Sequence, residues 1–279
     1  MNVPTVDLAP AGIGVIGGSG FYSFLEAPEI VSVSTPFGDP SGDISIGSVT
    51  GRSVAFLPRH GATHEWLPHQ VNYRANLWAL RSLGVRQILA PSAVGSLQTD
   101  LRPGAFVVPD QVVDRTSARE HTVFGPGAVG HVAFADPYCP HGRASLLAAG
   151  LAADAEVVDG GTMVVINGPR FSTRAESLWH AAQGWSVVGM TGMPEASLAR
   201  EMAICYSSIT LVTDHDAGVD AAGAVTQAEV LTRFAAGIEA LKAVLSGAIG
   251  RLPKDEPDES AGCRCRRALD GLPWPPAFQ

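Results

Sequence analysis

Short apolar runs recur at residues 13–16, 53–57, 87–90, 106–108, 162–166, 185–188 and 208–212, and many are apolar at successive positions, not at alternate ones. Strands of that kind need cover on both faces, so they predict a largely parallel sheet between layers of helices. The intervening helices have readable ends. One runs from near Pro68 to before Gly84 and carries Leu77, Trp78, Leu80 and Leu83. A second opens on the capping box from Thr173 to Glu176 and stops at Gly184; a third follows Pro194 and Glu195. The last opens on a box from Thr226 to Glu229 and keeps Val230, Phe234, Ile238, Leu241 and Leu245 at helical spacing. The expected fold is α/β: a single domain, residues 1–250, with a central twisted mixed sheet flanked by helices. Residues 251–279 read as a linker, charged and Pro-containing over 253–260, and a tail that is flexible or docks on a neighbouring subunit through its apolar stretch from Leu272.

The formal net charge of −8 argues against a nucleic-acid surface. Lys242 and Lys254 are the only lysines among 19 basic residues. Arginine suits phosphate and carboxylate partners, although a high-GC genome produces the same bias. No basic residue precedes Arg52, and no run approaches the roughly 18 apolar residues of a membrane span. A cytoplasmic protein without membrane contact is expected. Cys139 and Cys205 read as small buried hydrophobes, and four cysteines at this length do not make a disulfide scaffold.

The chemistry gathers at strand ends. Asp214 and Asp216 follow the run 209–212, and two carboxylates there are costly unless they meet a partner with two donors. The exocyclic amino group of a purine is such a partner; an ordinary Asp-containing turn is the alternative. Gly17-Gly18-Ser19-Gly20 after the first run offers backbone N–H groups and the Ser19 hydroxyl to an anion. Its spacing does not fit G-x-G-x-x-G, which disfavours a dinucleotide site. Arg59 and His60 make an anion clamp of fork plus single donor. Ser92 and Ser96, then Met190-Thr191 before a helix start, add hydroxyls at two further strand ends. Together these groups suit a bare phosphate. His60, His64 and His69 are not expected to hold a metal, because Gly61 and Pro68 deny them a common helical face and no Cys or acidic cluster joins them.

These stretches, with Asn72-Tyr-Arg-Ala-Asn-Leu-Trp-Ala-Leu80, Ala93-Val-Gly-Ser96, Asp114-Arg-Thr116 and Gly168-Pro-Arg-Phe-Ser172, stand in an order that resembles the trimeric purine nucleoside phosphorylase family. The resemblance covers about residues 12–246 and is to its S-methyl-5'-thioadenosine phosphorylase branch. It implies a pentosyltransferase that cleaves the N-glycosidic bond of S-methyl-5'-thioadenosine and related 6-aminopurine nucleosides. Inorganic phosphate is the co-substrate, no cofactor or metal is implied, and the products are adenine and 5-methylthioribose 1-phosphate. Phosphate is then expected on Ser19, Arg59, His60, Ser92, the Ala93 N–H and Thr191. Met190 is expected over the ribose, Phe171 against the base and Ser172 at the purine edge. Asp214 becomes the general acid at N7 and Asp216 the acceptor of the 6-amino group. A homotrimer or dimer of trimers follows by the same resemblance, with His131 reaching a neighbour's site.

Three departures matter. Gly189 before Met190 is similar to a bacterial subgroup that prefers methylthioinosine, where adenine-selective members carry Asn. That subgroup has Asn where Asp214 stands, so the aspartates weigh toward 6-aminopurines; a broad or 6-oxopurine-preferring phosphorylase (inosine, guanosine, methylthioinosine) is the alternative. Gln227 takes the place of an apolar residue that lines the 5'-alkylthio pocket, or else points to solvent. Ser172 and Gln227 are thus the expected specificity positions. Cys263-Arg-Cys265 is similar to a C-x-C near the end of some archaeal relatives, where it forms a disulfide; reduced thiols are expected here.

Overall fold

Side chains alternate along each strand, so Val15 and Leu89 enter one helical layer while their neighbours Ile16 and Ile88 enter the other. The computed structural model describes residues 11–18, 20–21, 24–220, 224–254 and 263–278. Among them, eleven strands join in one mixed sheet. They are β1 (Ile13–Gly17), β2 (Glu26–Val31), β3 (Ile44–Val49), β4 (Arg52–Pro58), β5 (Gln87–Ser96) and β6 (Phe106–Val108), followed by β7 (Gln111–Arg115), β8 (Val157–Asp159), β9 (Thr162–Ile166), β10 (Val187–Gly189) and β11 (Cys205–His215). Helices α1 (Tyr73–Ser82) and α4 (Gly192–Glu201) pack on one face. On the other lie α2 (Pro140–Ala152) and α5 (Gln227–Arg251), while α3 (Arg174–Ala182) closes a smaller cluster around Val164 and Val188.

The strand order is β2-β3-β4-β1-β5-β10-β9-β7, with β11 on the other edge of β5 and leading on to β6 and β8. Strand β5 is the branch point. It pairs with β11 along its whole length, in parallel. Its opposite edge meets β1 only as far as Leu89 and β10 only from Gly95 onward. Between those residues the edge has no strand partner.

That gap explains a misread boundary. The sequence reading ends this strand at Ala90, just before Pro91, a residue that lacks an N–H for the ladder. Pro91 turns its carbonyl to the open edge, where Arg59 Nη1 donates to it at 3.1 Å. The missing N–H lies on that same edge, so no ladder bond is lost. Helix α1 begins at Tyr73, later than the reading from Pro68, because Asn72 caps it by accepting from the Ala75 N–H at 3.2 Å. The Thr173–Glu176 capping box closes reciprocally. Thr226 accepts from the Glu229 N–H, but the Glu229 carboxylate receives the Thr226 hydroxyl itself.

The end of the tail, read from sequence as flexible or docking on a neighbouring subunit, packs on this chain's own α1. Trp78 Nε1 donates to Ala277 O at 3.3 Å, and the Trp78 and Phe278 rings lie 6.3 Å apart. Of the expected linker, 255–260 lies outside the described residues. Among the described residues no helix is long and apolar enough to cross a membrane.

Candidate active site

Strand β11 carries the acidic end of the site. Its register against β5 runs evenly to Val212 opposite Val94, then slips by one, so that Asp214 stands opposite Gly95 and His215 opposite Ser96. Thr213 is the extra residue of this β-bulge, a device that re-aims the side chains beyond it. Gly95 makes the close approach possible: a Cβ there would lie 3.0 Å from Asp214 Oδ1 and 3.3 Å from Asp216 Cβ. Thr213 Oγ1 has one hydrogen and two acceptors within reach, Asp214 Oδ2 at 2.7 Å and Val94 O at 3.2 Å. Burial pushes the Asp214 carboxyl up to about 6, with Thr213's hydrogen bond opposing and the charge of Asp216 assisting. Asp216 is buried, and Ser177 Oγ donates to its Oδ2 at 2.5 Å.

A cavity of about 540 Å³, within the usual range for small-molecule sites, joins these carboxylates to the strand ends opposite. Arg59, His60, Ser92, Ala93 and Thr191 line it. So do Met190, Phe171, Ser172, Asp214 and Asp216. Among the described residues, Ser172 Oγ is buried without a hydrogen-bond partner, leaving it available to a ligand. Thr191 is the N-cap residue of α4, yet its hydroxyl makes no cap bond.

The sequence reading credits Arg59 with a fork for phosphate; the structure gives that fork to Glu195. Arg59 Nε donates to Glu195 Oε1 at 2.8 Å and Nη2 to Oε2 at 3.0 Å, and both side chains are buried. Nη2 also donates to Ile16 O and Nη1 to Pro91 O. Of five N–H groups, one on Nη1 remains for an anion. Tyr206 donates its hydroxyl to Glu195 Oε2 at 2.8 Å, completing a network whose anchoring members, Glu195 and Tyr206, carried no role in the sequence reading. A buried carboxylate directly after a proline at a helix start was the available signal.

His60 likewise differs from the single donor expected. Its Nδ1 lies 2.8 Å from Trp66 O, and only an N–H can face a carbonyl. Burial first, then the charge of Arg59, pulls the imidazole down to about 4, so the neutral ring keeps its hydrogen on Nδ1 and offers Nε2 as an acceptor. The open edge of β5 supplies a donor instead. By the two-residue alternation of a strand, the Ala93 N–H faces the same edge as the Pro91 carbonyl.

Ser19 lies outside the described residues, although its neighbour Gly18 lines the cavity. Gln227, the first residue of α5, is exposed and stands at the rim, one turn from Val230 and Leu231 and two turns from Phe234, which also line it. His131 is exposed and is not among the residues lining this cavity. His60 and His64 stack at 4.6 Å, but among the described residues no cysteine or carboxylate completes a ligand set with them. Four cysteines do meet, at the other end of β11.

Residues 12–250 match the family model described as the phosphorylase superfamily. Over 223 residues, 80% of this chain and 84% of the relative, it is 60% identical to the S-methyl-5'-thioadenosine phosphorylase of Mycolicibacterium smegmatis. It is 56% identical to the purine nucleoside phosphorylase of Streptomyces coelicolor over 94% of this chain and 95% of that one. Among solved structures, a methylthioadenosine phosphorylase from an Antarctic soil metagenomic library superposes with a TM-score of 0.87 at 42% identity, covering 94% and 92% of the two chains. With its sheet, its cavity and these relatives in agreement, the chain belongs to the phosphorylase superfamily.

Proposed function

We propose that the protein is an S-methyl-5'-thioadenosine phosphorylase, cleaving 6-aminopurine nucleosides with inorganic phosphate. One observation carries the reading. Asp214, a half-buried carboxyl that desolvation pushes up to about 6, shares a cavity with an oxyanion site built from the β5 edge, Arg59, Ser92 and Thr191. Phosphate bound there stabilises the oxocarbenium-like sugar as the C1'–N9 bond lengthens, then attacks C1' from the opposite face. The electron pair of that bond passes to the purine. Asp214 delivers its proton to N7, and solvent restores it after adenine leaves. His60 Nε2 accepts the phosphate's own O–H, which suits a hydrogen phosphate. No cofactor is needed in the cavity.

Asp216 supports the 6-amino preference. With Oδ2 taken by Ser177, its Oδ1 is left to accept from the exocyclic amine. A 6-oxo group would set acceptor against acceptor, an unpaired contact costing roughly 1–3 kcal/mol, or about one to two factors of ten in kcat/KM. Val230, Leu231 and Phe234 give the apolar wall a methylthio group needs, with Gln227 at its edge. The test is purine release from methylthioadenosine, adenosine, methylthioinosine and inosine, each with and without phosphate. Equal rates without phosphate make the protein a hydrolase; methylthioinosine cleaved as well as methylthioadenosine removes the 6-amino reading.

The same reading carries a cytoplasmic homotrimer or dimer of trimers, in which His131 serves a neighbouring site. A fully active monomer in light scattering at assay concentration removes it.

A further inference from the structure

Cys139, Cys205, Cys263 and Cys265 come from three separate parts of the chain, and their sulfurs all lie within 4.8 Å of one another. Cys139 is the N-cap residue of α2 and makes no cap bond with its side chain; Cys205 opens β11; the other two belong to the tail. All four are buried. The Cys263 sulfur lies 3.6 Å from both Cys139 and Cys205. A disulfide needs about 2.05 Å and joins sulfurs in pairs, whereas here one sulfur stands equally far from two. A zinc ion with Zn–S bonds of about 2.3 Å sets the edges of its sulfur tetrahedron at roughly 3.8 Å.

We propose that these four cysteines bind one zinc ion as a closed tetrathiolate site that fastens the C-terminal segment to the end of the sheet. Four crowded sulfurs favour a cation, since each ligand must give up a proton to bind it. The surroundings supply N–H donors for the resulting charge. Arg200 Nη2 lies 3.8 Å from Cys265 Sγ, and the α2 N-terminus begins at Cys139. Buried Gln87 is the independent sign. Among the described residues its Nε2 has no partner, while its Oε1 lies 4.0 Å from Cys139 Sγ. Turning the amide over, which leaves its shape unchanged, gives that sulfur the N–H it needs as a thiolate. Full burial leaves no open coordination position, so the site is structural and not catalytic.

The test is elemental analysis of the full-length protein after gel filtration, with thiol counting in denaturant plus chelator. The expected result is about one zinc per chain and four free thiols. Titration with an organomercurial should release that zinc to a chromophoric chelator, and Cys263→Ser should lose it. If that variant proves insoluble, the wild-type release curve still decides. Four thiols with less than about a tenth of an equivalent of any metal overturns the site. So does an intact mass four hydrogens light, which indicates two disulfides.

Discussion

Cys205 and Asp214 stand near opposite ends of β11, roughly 30 Å apart by the rise of an extended strand. Both ends collect reactive side chains from distant parts of the sequence. At the cysteine end the groups face one another in a dry shell, and their needs are met within the chain and its proposed ion. At the aspartate end they face a cavity, and among the described residues several needs stay open: Ser172 Oγ lacks a partner, Thr191 makes no cap bond, and between Leu89 and Gly95 one edge of β5 has no strand. The unmet hydrogen bonds mark where a ligand belongs; the closed cluster marks where the fold is held. The Arg59–Glu195–Tyr206 network lies between these extremes, nearly saturated but sparing one N–H for the cavity.

The largest expected effect is at Asp214. Asp214→Asn should lower kcat/KM for methylthioadenosine by about 10²- to 10⁴-fold, the usual worth of a general acid. Its pH profile checks the assignment. The active form is protonated, so wild-type kcat/KM should fall as pH rises through about 6, and the Asn variant should lose that limb. His60, neutral above about 4, should add no limb in the neutral range. A variant that keeps the wild-type profile would take the proton donor elsewhere.

Next comes Arg59→Ala, which strands Glu195 as a buried unpaired charge. Denaturant titration should show a loss of about 3–5 kcal/mol, together with a raised phosphate KM. A phosphate clamp at the surface of the cavity would change KM alone. Gly95→Ala should displace Asp214 and cost roughly 1–3 kcal/mol in stability, with kcat falling more than KM. Ser177→Ala frees Asp216 Oδ2, and the ratio of methylthioadenosine to methylthioinosine cleavage should fall by about two- to tenfold. Smallest in the assay is Cys265→Ser: kcat/KM at 25 °C within about twofold of wild type, although Tm drops. A large kinetic defect there would tie the two ends of the strand together.

The doubly covered strands were legible because their apolar runs are continuous; β1, β4, β9 and the body of β11 lie where those runs predict. Strands β2 and β3 escaped because they form an edge hairpin with partly exposed, Ser- and Gly-containing sequence. Asp214, Ser92 and Thr191, singled out by residue type beside apolar runs, all line the cavity. Glu195 as the owner of the arginine fork was not legible, because its partner lies 136 positions away. Beyond the C-x-C of Cys263 and Cys265 the cysteine cluster has no spacing to read: Cys263 meets partners 58 and 124 positions distant.

The bulge at Thr213 also sets a rule of parity. Val212 and Val94 enter the layer of α1 and α4, and two even steps from Val212 would send Asp214 there too. The one extra residue turns Asp214 toward the side where α5 walls the cavity. Register, and not length, is what places the carboxylate. With the bulge ironed out at constant length, Thr213 would stand opposite Gly95 and Asp214 opposite Ser96, on the aliphatic side. Loss of the one extra residue would instead leave Asp214 opposite Gly95.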